Sequence, residues 1–175
     1  MRQFWAHGYE ASAISDLVTA TGLNRASLYA EFGDKRALFL ESVRRYDRRH
    51  RETFLARLAR DNPPREALLA AFTAAAHGVE DAPGGRLLVN TALEVAPHDP
   101  ETQALVNAAL DAVRDFFRAR IEAAQVEGTI RDDLDAPGTA ESLRGIFLGL
   151  RVLHRAGASS AERELLAERA AKLLE

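Results

Sequence analysis

The most constraining feature of this sequence is the spacing of its apolar residues, which recur three and four positions apart along almost the whole chain. Ile14, Leu17 and Val18 show the pattern within one short segment. Such spacing indicates helices that bury one face, and no segment shows the sustained apolar–polar alternation of a strand. The sequence therefore predicts an all-α protein.

Glycines, prolines and capping residues divide this pattern into helices. We predict a first helix ending near residue 7, with further helices between Ser12 and Gly22, between Asn24 and Gly33, from Asp34 to residue 61, and over 65–80, 86–96, 100–127, 138–156 and 160–174. Ser12, Asn24 and Asp34 are the predicted N-caps. Loops are expected at 81–85, 97–100, 128–137 and 157–160. The domain boundary is placed near the long fourth helix, giving domains 1–46 and 47–175 without a flexible linker.

Composition excludes several classes of protein. Hydrophobic residues make up 47% of the 175 and charged residues 28%, as in an ordinary folded protein. No apolar run approaches the roughly 18 residues of a membrane span, and no secretory signal is visible. The absence of cysteine excludes disulfides and thiolate metal sites and fits a reducing cytoplasm. We expect a cytoplasmic protein with no membrane partner.

The net charge of −3 conceals an asymmetry, because residues 1–60 carry +4 and residues 61–175 carry −7. This distribution suggests that the N-terminal third meets a polyanion. Charges scattered over a solvated surface remain the alternative interpretation.

The short helix between Gly22 and Gly33 has two different faces. Leu28 and Phe32 form the edge expected to point inward, with Leu23 just before them. The opposite side is small in the middle and polar at its edges and N-terminal end, with Ala26, Ala30, Ser27, Tyr29 and Arg25. Small residues allow close approach of the backbone, and hydroxyls with a guanidinium suit phosphates and base edges.

The short turn before this helix gives the layout of a helix-turn-helix, which places its second helix in the major groove. Lys35, at the start of the next helix, could grip a backbone phosphate. A three-helix packing unit that binds no DNA is the alternative.

Residues 1–46 closely resemble the DNA-binding domain of the TetR family of bacterial one-component regulators. The resemblance rests on the order and spacing of Phe4, Gly8-Tyr9, Ser12, Ile14, Asp16-Leu17, Thr21-Gly22-Leu23, Ser27-Leu28-Tyr29, Phe32, Lys35 and Ala37-Leu38. It implies an N-terminal three-helix helix-turn-helix domain, a helical ligand-binding and dimerisation bundle, and a homodimeric repressor that a small molecule releases from double-stranded operator DNA. The residues matching the family's DNA contacts are Ser12, Asn24, Arg25, Ser27, Tyr29 and Lys35, while Ala26 and Ala30 come from the helical wheel.

Three features depart from the family pattern. Members usually carry further residues before the first helix, so an extension before Met1 is an open alternative. Ala13 stands where a second hydroxyl is common. Glu31 stands where a histidine or another non-acidic residue is frequent, and it is expected either to pair with Lys35 or to accept a hydrogen bond from a cytosine amino group.

Two C-terminal helices are predicted to form a four-helix interface with their symmetry mates. Helix 138–156 is apolar on two sides, and Gly145 and Gly149 would let another helix approach closely. The predicted interface residues are Gly145, Leu148, Gly149, Val152, Leu166, Ala170 and Leu173. Completion of a monomeric bundle is the alternative.

A ligand pocket is expected among residues 50–127. Helix 65–80 is apolar nearly all round and therefore predicted to be buried. Polar groups in apolar surroundings and nearby aromatic rings are candidate lining residues, namely Phe72, His77, Asn90, Thr91, Phe116 and Phe117. Each could instead be a satisfied core residue, which is the more common role of such groups. We expect a small apolar or aromatic effector.

No enzyme, cofactor or metal site is predicted. The histidines match no metal-binding motif, and Glu94, His98, Asp99 and Glu101 lie in a proline-bracketed loop without imposed geometry. Three alternatives to a ligand-responsive repressor remain. They are an activator, a regulator without an effector, and a helical binding protein whose helix-turn-helix no longer engages DNA.

Overall fold

The computed structural model describes residues 1–78 and 86–175, and it contains only helices, turns and loops within those ranges. The predicted loop at 81–85 and the last two residues of the predicted helix 65–80 lie outside the described residues. The helices are α1 (Arg2–His7), α2 (Ile14–Thr21), α3 (Arg25–Phe32), α4 (Lys35–Arg49), α5 (Ala56–Asp61), α6 (Pro64–His77), α7 (Arg86–Glu94), α8 (Pro100–Val126), α9 (Ala136–Arg155) and α10 (Ser160–Lys172). The all-α prediction is confirmed.

The fourth helix, predicted to run from Asp34 to residue 61, contains a π-helical segment between two α-helical ones. A π-helical segment, His50–Leu55, follows α4 directly and α5 follows it directly. A short 3₁₀ turn, Ala96–His98, follows α7. Neither feature was predicted.

The contacts of the chain define two compact units. The first contains Met1–Arg48 and Leu87–Asn107, and the second contains Arg49–Arg86 and Ala108–Glu175. In the first unit, Phe4 and Phe39 meet edge to face with their ring centroids 5.2 Å apart. Trp5 packs in the same way on Tyr46 at 6.0 Å. These rings fix α1 against α4 and so hold the first unit together.

The second unit is organised around α6. Its small residues Ala67, Ala71 and Ala75 are buried, which lets this helix pack closely against α9 and α10. The core also contains aromatic side chains among its aliphatic ones, and the rings of Phe72 and Phe117 stack with centroids 5.4 Å apart. The prediction that this helix is largely buried is confirmed.

Candidate functional site

The second and third helices are joined by a tight turn that glycine and asparagine define. Gly22 ends α2 in the left-handed conformation, with φ of 70°. The Asn24 side chain caps α3 by accepting a hydrogen bond from the Ser27 amide at 2.8 Å. Gly33, with φ of 83°, ends the helix after eight residues. The predicted cap and both predicted ends are confirmed, and the arrangement is a helix-turn-helix.

One side of α3 faces the core and the other faces solvent. Leu28 is fully buried and Phe32 partly buried. Arg25, Ala26, Ser27 and Ala30 are exposed, and these four residues are called here the outward face of α3. Tyr29 is half-buried at its edge, and the Arg25 guanidinium carbon lies 5.5 Å from the centroid of the Tyr29 ring. The outward face is therefore small in its middle and cationic at its N-terminal end.

The expectation that Leu23 points inward is wrong. Its side chain is 39% exposed. Leu23 lies in the turn before α3, where the backbone is not helical, so the angular position of a helical wheel does not apply to it.

The structure also corrects two predictions about Ser12. The residue directly before α2 is Ala13, whose amide donates to the Asp16 carboxylate at 3.2 Å. Ser12 is fully buried, and its hydroxyl donates to the Gly8 carbonyl at 2.6 Å. A buried hydroxyl that is already hydrogen-bonded inside the protein is not available to a phosphate. Ser12 is therefore neither the N-cap nor a DNA contact through its side chain.

Lys35 opens α4 and is held by the turn after α1. Its ammonium donates to the Glu10 carbonyl at 3.3 Å and lies 4.5 Å from the centroid of the Tyr9 ring. Burial, together with the charges of Glu10 and Asp34, raises the pKa of Tyr9, so its ring stays a neutral phenol. Next to Lys35, Asp34 caps α4 as predicted by accepting from the Ala37 amide at 2.7 Å.

The predicted pair between Glu31 and Lys35 is wrong. Glu31 is exposed on α3, and no ion pair joins it to Lys35 in the described part of the chain. The alternative contact with a cytosine stays a prediction.

The residues predicted to line a ligand pocket fall into both units. Asn90 and Thr91 belong to the first unit, where Thr91 is buried and its hydroxyl donates to the Leu87 carbonyl at 2.7 Å. In the second unit, Phe117 is fully buried and Phe116 half-buried, with their ring centroids 5.6 Å apart. Thr91, Phe116 and Phe117 therefore have core contacts, and Asn90 is half-buried.

Phe72 and His77 come together at a groove between α6 and α10. The groove has a volume of about 240 Å³ and is apolar at its floor, with Leu69, Phe72, Ala76, Ala167 and Ala171 among its lining residues. At its rim, His77 Nδ1 lies 3.7 Å from the Glu164 carboxylate.

The predicted dimer face of α9 is accessible. Gly145 is exposed, Leu148 and Gly149 are half-buried, and Val152 is 46% exposed. A Cβ atom added to either glycine would meet nothing within 4 Å, so the space directly beside both glycines is open. The opposite face, with Leu143, Phe147 and Leu150, is buried.

The prediction for α10 needs correction. Ala170 is fully buried in the core of its own subunit, and Leu166 packs against that core. The outward side of α10 instead carries Leu165, 54% exposed, and Leu173, 39% exposed. Leu165 was missed, although it lies eight residues before Leu173 and so shares its side of the helix.

Asp99 and Glu101, which follow α7, pair with arginine side chains of α4. Within the described residues, no group of three or more potential ligands is placed to hold a metal ion. The Asp99 and Glu101 carboxylates lie 2.8 Å and 2.9 Å from the Arg36 guanidinium. Hydrogen bonds from Thr102 and Arg36 lower the pKa of Asp99, and those from Arg36 and Arg44 lower the pKa of Glu101. The same described ranges contain no helix that is long and apolar enough to cross a membrane.

Comparison with known proteins agrees with this geometry. The family model "Bacterial regulatory proteins, tetR family" matches residues 1–42, and the model "Tetracyclin repressor-like, C-terminal domain" matches residues 64–169. The HTH-type transcriptional repressor ComR of Escherichia coli is 31% identical over 162 residues, covering 91% of this chain and 77% of ComR.

Solved structures give the same result over nearly the whole chain. A cysteine mutant of the TetR family transcriptional regulator CifR, complexed with a 26-base-pair operator DNA, is 26% identical, with a TM-score of 0.84 over 99% of this chain and 91% of CifR. A TetR transcriptional regulator from Chloroflexus aurantiacus is 27% identical, with a TM-score of 0.85 over 97% and 87% of the two chains.

The helix-turn-helix geometry and these matches together identify the chain as a DNA-binding transcriptional regulator. The chain belongs to the TetR family of bacterial regulatory proteins.

Proposed function

We propose that this regulator is a homodimeric repressor whose subunits each insert α3 into the major groove of one operator half-site. The observation that carries the proposal is the division of α3 between the buried Leu28 and the exposed outward face. Small residues at Ala26 and Ala30 let the helix approach base edges closely, and Arg25 and Ser27 can donate to bases or phosphates. The structure of the similar protein CifR with operator DNA supports the same class of partner.

Phosphate contacts would fix the register of each subunit. Asn24 lies at the N-terminus of α3 and Lys35 at the N-terminus of α4, where free amides and a cation favour anions. Tyr29 lies at the edge of the outward face. We propose that these groups belong to a DNA-binding domain at 1–46, followed by a ligand-binding and dimerisation domain at 47–175.

Titration of the protein against DNA flanking its own coding region tests this proposal. Wild-type protein should prefer that DNA over a scrambled duplex, with an affinity that rises steeply as salt falls. Ala26→Glu places a carboxylate on the outward face, so the affinity should fall at least about tenfold because of repulsion by the phosphates. Ala119→Glu, at an exposed position of α8, is the matched control and should leave the affinity unchanged.

Equal binding of scrambled and flanking DNA by the wild type would favour the other interpretation, a helical binding protein that no longer recognises an operator. An Ala26→Glu variant that folds and still binds normally would contradict the placement of α3 in the groove.

We further propose that a small apolar or aromatic molecule releases the repressor. The groove lined by Phe72 and His77, with its apolar floor, supports this class of effector. A compound of this class that binds should raise the unfolding midpoint and lower operator affinity in parallel. If every compound that stabilises the protein leaves operator affinity unchanged, the effector part of the proposal is wrong. We propose that the protein acts in the cytoplasm and catalyses no reaction.

A further inference from the structure

The carboxylate at the end of α7 holds the turn that connects the first two helices. Glu94 accepts hydrogen bonds from two successive amides, from Tyr9 at 3.1 Å and from Glu10 at 2.8 Å. Gly8, with φ of 82°, leaves room for this carboxylate, because a Cβ atom there would lie 2.6 Å from its oxygen. Two amides bound by one carboxylate fix the path of the backbone, since hydrogen bonds to a charged acceptor are the strong ones.

The same turn also contacts Lys35. The Glu10 carbonyl accepts from the Lys35 ammonium, and the Tyr9 ring lies beneath it. The residues that bind Glu94 through their amides therefore contact Lys35 through a carbonyl and a ring. A shift of this turn would move the cation at the start of α4.

Glu94 belongs to a segment outside the N-terminal helices, although its carboxylate contacts the turn between α1 and α2. Residues 87–107 lie inside the range that matches the C-terminal family model, yet they pack in one unit with α1–α4. Asp99 and Glu101 follow Glu94 closely and pair with Arg36 on α4. These surface ion pairs are expected to be weak. The two hydrogen bonds that the Glu94 carboxylate accepts from backbone amides are therefore the better-defined attachment.

We propose that Glu94 is a positioning residue for operator binding, which places Lys35 against a backbone phosphate by fixing the turn at Tyr9 and Glu10. The inference rests on the proposed DNA contact of Lys35. It makes the end of α7 a determinant of operator affinity although Glu94 itself touches no DNA.

The sign of the charge effect gives a sharp test. Removing a negative charge near DNA would by itself strengthen binding. Positioning predicts the opposite for Glu94→Gln, a near-isosteric change that keeps one acceptor but sets an amide group against the second backbone amide. Operator affinity of Glu94→Gln should fall about tenfold, whereas Glu127→Gln, at an exposed position after α8, should leave it unchanged or slightly higher. A Glu94→Gln variant that binds as tightly as the wild type, or more tightly, would overturn the inference.

A double-mutant cycle tests the route through Lys35. Lys35→Ala should weaken operator binding and reduce the salt dependence by about one counterion. In that background Glu94→Gln should have little further effect, whereas in a Ser27→Ala background its full tenfold effect should remain. If Glu94→Gln lowers operator affinity tenfold in both the Lys35→Ala and the Ser27→Ala backgrounds, Glu94 does not act through Lys35. That result would refute this inference and leave the proposed contact of Lys35 with DNA standing. No loss on Lys35→Ala itself would instead refute the proposed contact of Lys35.

Discussion

Ser12 and Ser27 place the same hydroxyl group in opposite surroundings within one helix-turn-helix. The Ser12 hydroxyl is buried and donates to the Gly8 carbonyl, whereas Ser27 is exposed on the outward face of α3. A buried hydrogen bond contributes to folding, and an exposed hydroxyl contributes only when a partner arrives. The sequence resemblance assigns both residues to DNA contact, and the structure separates them.

The two alanine substitutions should therefore have separate effects. Ser12→Ala removes the donor to the Gly8 carbonyl, so the free energy of unfolding should fall by about 1–2 kcal/mol. Ser27→Ala should leave it unchanged or slightly raised, because alanine favours the helix. Denaturant unfolding measures the free energy of unfolding of each variant, and titration with operator DNA measures its affinity for the operator. Operator affinity of the folded protein should fall in Ser27→Ala and not in Ser12→Ala, and the reverse pattern would restore Ser12 as a contact.

At the scale of elements, the π-helical segment His50–Leu55 contains a buried histidine. His50 stacks on Phe54 with ring centroids 5.1 Å apart. Burial, together with the charges of Arg151 and Arg51, lowers the pKa of His50 to about 4. The imidazole of His50 is therefore neutral in the folded protein near pH 7.

Stability should depend on pH through this group in a defined window. The unfolded chain takes up the proton near pH 6.5 and the folded protein only near pH 4, so stability falls as the pH falls between these values. Unfolding by denaturant at fixed protein concentration should show a loss of about 2 kcal/mol between pH 7 and pH 5. His50→Gln should remove that loss, whereas a His98→Ala variant, altered at an exposed position, should retain it. An unchanged pH slope in His50→Gln would rule out His50 as its origin.

The sequence predicts the helix ends well because the signals for them are local. Gly22 and Gly33 end α2 and α3 as expected, and Asn24 and Asp34 provide the expected caps. The π-helical segment was not predicted, because one extra residue in a turn leaves no local signal in an apolar pattern.

Tertiary packing was predicted less well than the helix ends, because packing depends on contacts between residues far apart in the sequence. Helical spacing shows which residues share a side of α10, but it does not show which side the subunit's own core takes. Ala170 is therefore buried where an interface was predicted, and Leu165 is exposed instead. The attachment of Glu94 to Tyr9 and Glu10 joins residues more than eighty positions apart, and no local pattern indicates such a contact.

At the scale of the whole molecule, an operator composed of two half-sites requires two copies of α3 held at a fixed spacing. The outward side of α9 is the candidate surface for that pairing, because Gly145 and Gly149 leave open space beside the exposed Val152. In a two-fold interface both subunits contribute the same residues, so one substitution changes the interface at two symmetric places.

Gly149→Leu tests this surface because it should affect the dimer and not the subunit. Within the subunit a Cβ atom at this position meets nothing within 4 Å, and leucine favours a helix over glycine by up to about 1 kcal/mol. Across a close helix–helix contact the same side chain overpacks the interface, so dimerisation should weaken at least about tenfold. Analytical ultracentrifugation measures the dimer dissociation constant, and circular dichroism verifies the fold.

The operator affinity of Gly149→Leu should fall together with its dimerisation. A monomer contacts only one half-site, so it lacks the effective concentration that binding of the first subunit gives to the second. Ala119→Leu, at an exposed position of α8, is the matched small-to-large control and should change neither quantity. An unchanged dimer mass for Gly149→Leu at concentrations near the wild-type dissociation constant would exclude this face of α9 from the interface.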